Sequence, residues 1–370
     1  MDTPTHLAAF VIACGFVLAF VFGVVAQKTD FCTMGAVSDI VNMGEWSRMR
    51  MWLLAIAVAI AGANALDLAG LVDLSRSAYP APRWPWLAHL VGGVLFGVGM
   101  TLASGCGSRS LIRIGGGNLK SLVAMLFLAL AAEMTLGGLL SPLRTLVLGA
   151  PAIQFDQGQD LSWILATAIG TGKRSVQPWI AAGVALALLA FVLKDRDFRA
   201  DRWRLFAAVA IGLTIVGGWY VTGHLGLLAE DPETLQEAYV GTRSARPESF
   251  TFIGPAAHAL ELLQFWTDKS ARLSFGVAVV IGTLVGAFTY SIIRGRFRWE
   301  SFASAADTRN HVSGGILMGF GGVTAMGCTI GQGITGVSTL ALGSIVVFFS
   351  IVAGAALTMK IQYRLLLKAD

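Results

Sequence analysis

Long apolar runs alternate with short polar breaks from one end of the chain to the other. A membrane-spanning helix needs about 20 mostly apolar residues. Nine runs meet or approach that length, at about 7–26, 51–72, 86–103, 119–140, 176–193, 205–223, 273–293, 312–326 and 337–359. The eighth is short, and 142–172 has room for a further short or re-entrant helix. No Lys or Arg precedes the first run, so it lacks the basic start of a secretory signal and is expected to stay as the first span. The pattern predicts an all-α polytopic membrane protein.

Composition sharpens this expectation. Of 370 residues 55% are hydrophobic and only 13% charged, against roughly 25% in an average soluble protein, and the mean hydropathy is +0.69. So few charges cannot coat a soluble globule of this size, which excludes an ordinary water-soluble enzyme. The net charge of +5 does not point to nucleic acid, because the basic residues sit in the breaks, where they orient the chain. Lys28, Arg48 and Arg50 follow the first run. Arg109, Arg113 and Lys120 follow the third, and Lys194, Arg196, Arg199, Arg202 and Arg204 the fifth. Arg294, Arg296, Arg298 and Arg309 follow the seventh. The positive-inside rule makes these breaks cytoplasmic. The long break at about 224–272 carries Glu230, Asp231, Glu233, Glu237, Glu248, Glu261 and Asp268 against Arg243, Arg246 and Lys269. It is expected to face outward with the N-terminus. The C-terminus, with Arg364 and Lys368, is then on the inside.

An internal repeat cuts across this pattern. His89-Leu-Val-Gly-Gly runs to Ser104-Gly105-Cys106, and His311-Val-Ser-Gly-Gly runs to Met326-Gly327-Cys328. His89, Gly92, Gly93, Gly97, Gly99, Gly105 and Cys106 match His311, Gly314, Gly315, Gly319, Gly321, Gly327 and Cys328 at a constant spacing of 222. The copies lie on the third and eighth spans. An odd number of crossings apart, they run antiparallel, as in transporters whose pathway lies between two inverted halves. The expected organisation is one membrane domain: a first inverted half at 1–140, connecting helices and an outward loop at 141–270, and a second half at 271–370. Spans one and seven, both ending in basic breaks, are the upstream partners this reading offers, although the second break has no cysteine.

After each Gly-Cys the chain turns glycine- and hydroxyl-rich, through Gly107-Ser108-Arg109-Ser110 and Thr329-Ile330-Gly331-Gln332-Gly333. Irregular backbone at membrane depth is tolerated only against protein or a watery cavity, and its free amides favour an anion. A third cysteine, Cys32, lies in the polar break from Lys28 to Gly35. A thiol is a weak donor that suits a soft partner such as sulfur and releases it readily, as conduction requires. The candidate pathway residues are therefore Cys32, Cys106 and Cys328, seconded by Lys28, Gly105, Gly107, Arg109, Gly327, Thr329 and Gln332. Cys14 reads as a small packing residue. Glu133, inside an apolar span, is either functional or a partner for Thr135. His89 and His311 read as interfacial. No P-loop, cofactor fingerprint or paired-cysteine metal motif is present in the sequence.

Through Phe31-Cys32, Ser104-Gly105-Cys106-Gly107 and Met326-Gly327-Cys328-Thr329 the chain resembles the YeeE/YedE family of sulfur-transport membrane proteins, and within it the thiosulfate transporters. The resemblance implies an inner-membrane protein whose three pathway cysteines pass thiosulfate inward by S–H···S contacts, with a small cytoplasmic sulfur-carrier protein of the TusA type as companion. The order expected from orientation is Cys328 outermost, Cys32 midway and Cys106 innermost. Two other classes stay open. One is a membrane sulfurtransferase that forms a cysteine persulfide and hands the sulfur to a carrier. The other is a soft-metal transporter using cysteine with Met34, Met100 and Met326.

Overall fold

The computed structural model describes residues 3–230, 235–268 and 272–367; Asp231, Glu233, Lys269 and Lys368 lie outside the described residues. The first part of the chain forms α1 (Thr3–Thr29), α2 (Thr33–Met43), α3 (Ser47–Leu68), α4 (Trp86–Leu102), α5 (Gly107–Gly115) and α6 (Leu119–Leu136). Next come α7 (Leu161–Ile169), α8 (Lys173–Leu193) and α9 (Arg196–Ala200). The last part holds α10 (Arg202–Tyr220), α11 (Ile253–Gln264), α12 (Phe275–Ile293), α13 (Ala305–Thr324) and α14 (Leu342–Leu366). The protein is all-α and polytopic, with two two-residue strand pairs in its loops.

Among the described residues eight helical segments are long and apolar enough to cross a membrane, from Pro4–Met43 to Leu342–Leu365. α13, the helix over the short eighth run, is 20 residues long but stands outside that set. Its first turns carry Asp307, Arg309 and His311, and the remainder is rich in glycine. It spends little surface on lipid because it is wedged between α4 and α6, so burial in protein replaces hydropathy as the reason it is stable. The region 142–172 holds a π-helical turn at Leu143–Leu148 and the short α7. α3 starts earlier than its apolar run, because Arg48 pairs with Asp39 at 3.1 Å and Arg50 with Asp195. The Phe198 amide and the Arg50 guanidinium hold the Asp195 carboxyl below the usual carboxylate range.

The polar breaks gather at two ends. At one, Arg109 pairs with Asp30 at 2.8 Å and Lys120 with Asp307 at 2.9 Å, the Leu119 amide bonds Glu300 O at 2.9 Å, and Lys28 stands over the Trp203 ring. At the other, Arg76 pairs with Glu237, the strand Arg83–Trp84 pairs with Ile153–Gln154, and Tyr79 meets Trp219 edge-on at 6.2 Å. Breaks after odd-numbered spans thus meet at the basic end, those after even-numbered spans at the opposite end.

α4 and α13 cross antiparallel in the middle of the fold, and their glycines explain how closely. A Cβ on Gly99 would lie 2.6 Å from Gly314 O, and one on Gly314 would lie 2.6 Å from Gly99 O. Gly92 and Gly321 meet in the same reciprocal way, each 2.7 Å from the other's carbonyl oxygen. Exchanging the two repeat copies maps this contact set onto itself. Flanking contacts obey the same exchange. Gly97 abuts Ile351 O on α14, and its counterpart Gly319 abuts Leu128 O on α6, at 2.2 and 2.4 Å from the ideal Cβ positions. Small residues let membrane helices approach this far.

Candidate functional site

Three helices break in one way. α1, α4 and α13 each end with a residue in the left-handed region, Asp30 (φ 52°), Ser104 (φ 56°) and Met326 (φ 60°). The next amide in each case reaches back five residues: Phe31 N–H to Ala26 O at 3.1 Å, Gly105 N–H to Met100 O at 2.8 Å and Gly327 N–H to Gly322 O at 2.8 Å. This is the Schellman closure of a helix. A cysteine follows one residue later and opens the next helical piece. None of the three left-handed residues is glycine, and a strained backbone of this kind, costing about 1–3 kcal/mol, concentrates at functional sites.

Each thiol is buried: Cys32 is 6% exposed, Cys106 1% and Cys328 0%. Cys32 is the N-cap of α2, its Sγ accepting the Gly35 amide at 3.3 Å. Cys328 Sγ accepts the Gly331 amide at 3.4 Å in the turn before α14, and the Phe252 amide at the start of α11 also faces it. Cys106 caps α5 through its carbonyl, bonded to Ser110 N–H at 2.8 Å, while its Sγ lies 3.3 Å from Ser108 Oγ. Cys106 is within electrostatic range of both Cys32 and Cys328. An ideal Cβ on Gly107 would lie 3.1 Å from Ile253, so α5 and α11 start beside each other. The N-termini of α2, α5 and α11 therefore face one region of the protein interior, and with them the positive ends of their dipoles.

The other candidates divide. Arg109 donates through Nη2 to Asp30 Oδ1 at 2.8 Å. Its Nη1 is buried without a protein partner, and it acts electrostatically on Cys32. Thr329 Oγ1 and Gln332 Oε1, beside Cys328, are likewise buried and unpartnered, as is Thr33 Oγ1 beside Cys32. Gln332 Nε2 holds Ala325 O at 2.7 Å. Gly105 lies under the Arg109 stem, and Gly327 lies against Gln332. Lys28 is apart from this group, over Trp203. Cys14 is half-buried against the core. Thr135 Oγ1 bonds Ala131 O at 2.6 Å in its own helix, so it does not satisfy Glu133. His89 and His311 are both 3% exposed, Nδ1 of the first accepting from Trp84 Nε1 at 3.0 Å. At the basic end a vestibule of about 850 Å3, lined by Met34, Ser38, Thr101, Ser104, Asp307 and Lys360, opens beside the breaks that carry Cys32 and Cys106.

Residues 28–357, which include all three of these cysteines, match the family described as sulphur transport. The chain belongs to the sulphur transport family. It is 28% identical over 343 residues to the thiosulfate transporter TsuA of Escherichia coli (strain K12), covering 87% of this chain and 86% of that relative. It is 27% identical over 339 residues to the thiosulfate transporter TsuA of Spirochaeta thermophila, covering 89% of this chain and 92% of that relative. The family resemblance stated from the three cysteine motifs is borne out.

In this member of the sulphur transport family some site residues carry no signal in the sequence. Asp30, which pairs with Arg109, looks like any loop carboxylate. Phe252 and Ile253 open the one converging helix without a cysteine, and they follow a loop whose composition is unremarkable. Their aromatic neighbours Phe22, Phe250 and Phe275 pack with Phe252 into an apolar cluster, ring centroids 5.7–6.4 Å apart.

Proposed function

We propose that the protein takes thiosulfate across the bacterial inner membrane, passing it along Cys328, Cys106 and Cys32 by S–H···S contacts. The observation that carries this reading is the threefold recurrence of one device, a strained helix break that sets a buried thiol at a helix start. Amide dipoles attract the dianion, and the soft thiol binds its terminal sulfur weakly enough to release it. Neither a hard oxyanion nor simple packing calls for sulfur at all three positions.

The orientation is the one set by basic residues, N-terminus periplasmic and C-terminus cytoplasmic. The order differs from that expected from orientation alone. Cys106 acts electrostatically on both other thiols, Cys32 feels Arg109 and acts on Arg113, and Tyr79 of the opposite end feels Cys328. This supports Cys106 as the middle station and Cys32 as the inner one, beside the vestibule from which a TusA-type carrier would collect the cargo. The two inverted halves meet at the α4–α13 crossing, with α1–α3 answered by α10–α12. An impermeant thiol reagent is then expected to modify Cys32 from the cytoplasmic face and Cys328 only from the periplasmic face. Labelling of Cys328 from the cytoplasm alone reverses the order.

Uptake of radiolabelled thiosulfate into vesicles carrying the protein tests the reading. Absence of uptake above protein-free vesicles overturns it. A thiosulfate-dependent +S adduct on Cys106 by mass spectrometry, without net uptake, selects the sulfurtransferase alternative. Among the described residues no three His, Cys, Asp or Glu side chains form a ligand group; the metal alternative, which uses cysteine with methionine, is tested by the metal content of the purified protein.

Arg109 offers the ion the free Nη1 while Asp30 holds Nη2. Arg109→Gln removes a charge-assisted hydrogen bond of about 1.5–3 kcal/mol, or roughly 10- to 100-fold in apparent affinity. Concentration-dependent uptake is expected to show a raised KM with membrane insertion unchanged.

A further inference from the structure

Trp52 carries no signal in the sequence, where it is one apolar residue of the second run. In the fold it is 1% exposed and lies between two rings, Phe31 at 4.8 Å and Phe348 at 6.3 Å between centroids. Phe31 immediately precedes Cys32. Phe348, on α14, abuts Gly333 in the glycine-rich turn that follows Cys328, 2.7 Å from an ideal Cβ there. The stack of Phe31, Trp52 and Phe348 therefore joins the break that presents Cys32 to the turn that presents Cys328.

Packing explains the ring of Trp52 and not its nitrogen. Nε1 is buried with no acceptor among the described residues, whereas a buried indole N–H ordinarily finds a partner. The faces of the neighbouring rings do not supply one. Both rings lie nearly parallel to the indole, at 13° and 21°, so the N–H, which points along the indole plane, passes them by. A phenylalanine here would fill the stack and leave nothing unpaired.

The same break gathers two more donors of this kind. Asp30 holds Arg109 through Nη2 at 2.8 Å and leaves Nη1 buried and unpartnered. Thr33, 0% exposed, opens α2 with its Oγ1 likewise unpartnered. The consecutive residues Asp30, Phe31, Cys32 and Thr33 thus bring a guanidinium, an indole and a hydroxyl to the surroundings of one thiol. Guanidinium and indole can only donate, so what satisfies the set is an acceptor, and the charge on Arg109 favours an anionic one. With a soft sulfur in their midst, these donors suit an ion that carries oxygens at one end and sulfur at the other.

We propose that Trp52 Nε1 and Thr33 Oγ1 donate to the sulfonate oxygens of thiosulfate while Cys32 holds its terminal sulfur, so that this break is where the oxygen end of the ion is recognised. The proposal rests on the thiosulfate-uptake reading and adds to its cysteines the groups that read oxygen. An anion of sulfur alone leaves these donors unpaired, and a site built to hydrogen-bond a group rejects an analogue that lacks it.

The experiment is concentration-dependent uptake of radiolabelled thiosulfate into proteoliposomes carrying wild type, Trp52→Phe or Thr33→Val. Phenylalanine keeps a ring in the stack and valine keeps the shape of threonine, so each change removes a donor and little else. Each is expected to raise KM about 10- to 100-fold, the effect of one hydrogen bond to a charged group, and Thr33→Ser, which keeps the hydroxyl, to stay near wild type. In detergent-solubilised wild type with isotope-labelled tryptophan, thiosulfate is expected to shift one indole N–H resonance, the one missing from the Trp52→Phe spectrum. A KM unchanged in either variant overturns the proposal, as does thiosulfate that leaves the Trp52 resonance in place. Should the Trp52→Phe protein fail to reach the membrane, an unchanged KM for Thr33→Val overturns it equally. Wild type that takes up no thiosulfate overturns the transport reading itself, a result distinct from uptake that is indifferent to these two donors.

Discussion

Cys106→Ala is expected to bring thiosulfate uptake down to the level of vesicles lacking the protein, with Cys14→Ala indistinguishable from wild type. Cys106 is the cleanest position for this test because its sulfur does not hold the fold. α5 is capped by the Cys106 carbonyl, the side chain accepting no backbone amide of the helix start and meeting only the Ser108 hydroxyl. At Cys32 and Cys328 the thiol accepts an amide at the start of the next helical piece, so alanine there also costs about 1 kcal/mol of capping. A loss at those positions mixes transport with stability. Cys106→Ala leaves a site 1% exposed with only a small cavity, and thermal stability is expected to fall little. Cys106→Ser separates shape from softness. It restores a hydrogen-bonding group beside Ser108 but replaces a polarizable sulfur with a hard oxygen, and uptake is expected to stay near that of the alanine variant. Full activity in either variant removes the thiol relay.

Much of this site was legible because the chemistry and the repeat point to the same residues. The 222-residue spacing paired Cys106 with Cys328, and hydropathy located the helices that carry them. What was hidden has physical causes. The left-handed residues before the cysteines are Asp30, Ser104 and Met326, none of which announces a helix end as glycine does, so the shared closure is visible only in backbone angles. α13 hid its length because a helix covered by α4 and α6 needs no lipid-facing apolar stripe. The start of α11 was invisible because Phe252 stands where a fourth thiol would have signalled it.

Gly99→Leu is expected to prevent the protein from assembling, seen as loss of the monodisperse detergent-solubilised species and of vesicle uptake together. The reason is that both sides of the contact are main chain. The new Cβ would stand 2.6 Å from Gly314 O and 2.8 Å from Met318 N, and neither can swing aside as a side chain tip could. α13 cannot retreat either. Its opposite face meets α6 with Gly315 and Gly319 2.4 Å from Ala124 O and Leu128 O by the same measure. Overpacking in an ordinary core costs about 1–3 kcal/mol. Here the strain passes through two glycine interfaces to the breaks at Ser104 and Met326, so the positions of Cys106 and Cys328 shift together. Because the contact is reciprocal, Gly321→Leu, whose Cβ would stand 2.7 Å from Gly92 O and Phe96 N, is expected to do the same damage from the other copy. Gly183→Leu is the control. It lies on α8, where an ideal Cβ meets nothing within 4 Å, and replacing glycine inside a helix there is expected to be neutral or mildly stabilising. If Gly99→Leu behaves like Gly183→Leu, then the two repeat copies are not held by backbone contact, and the inverted crossing is not what positions the thiols.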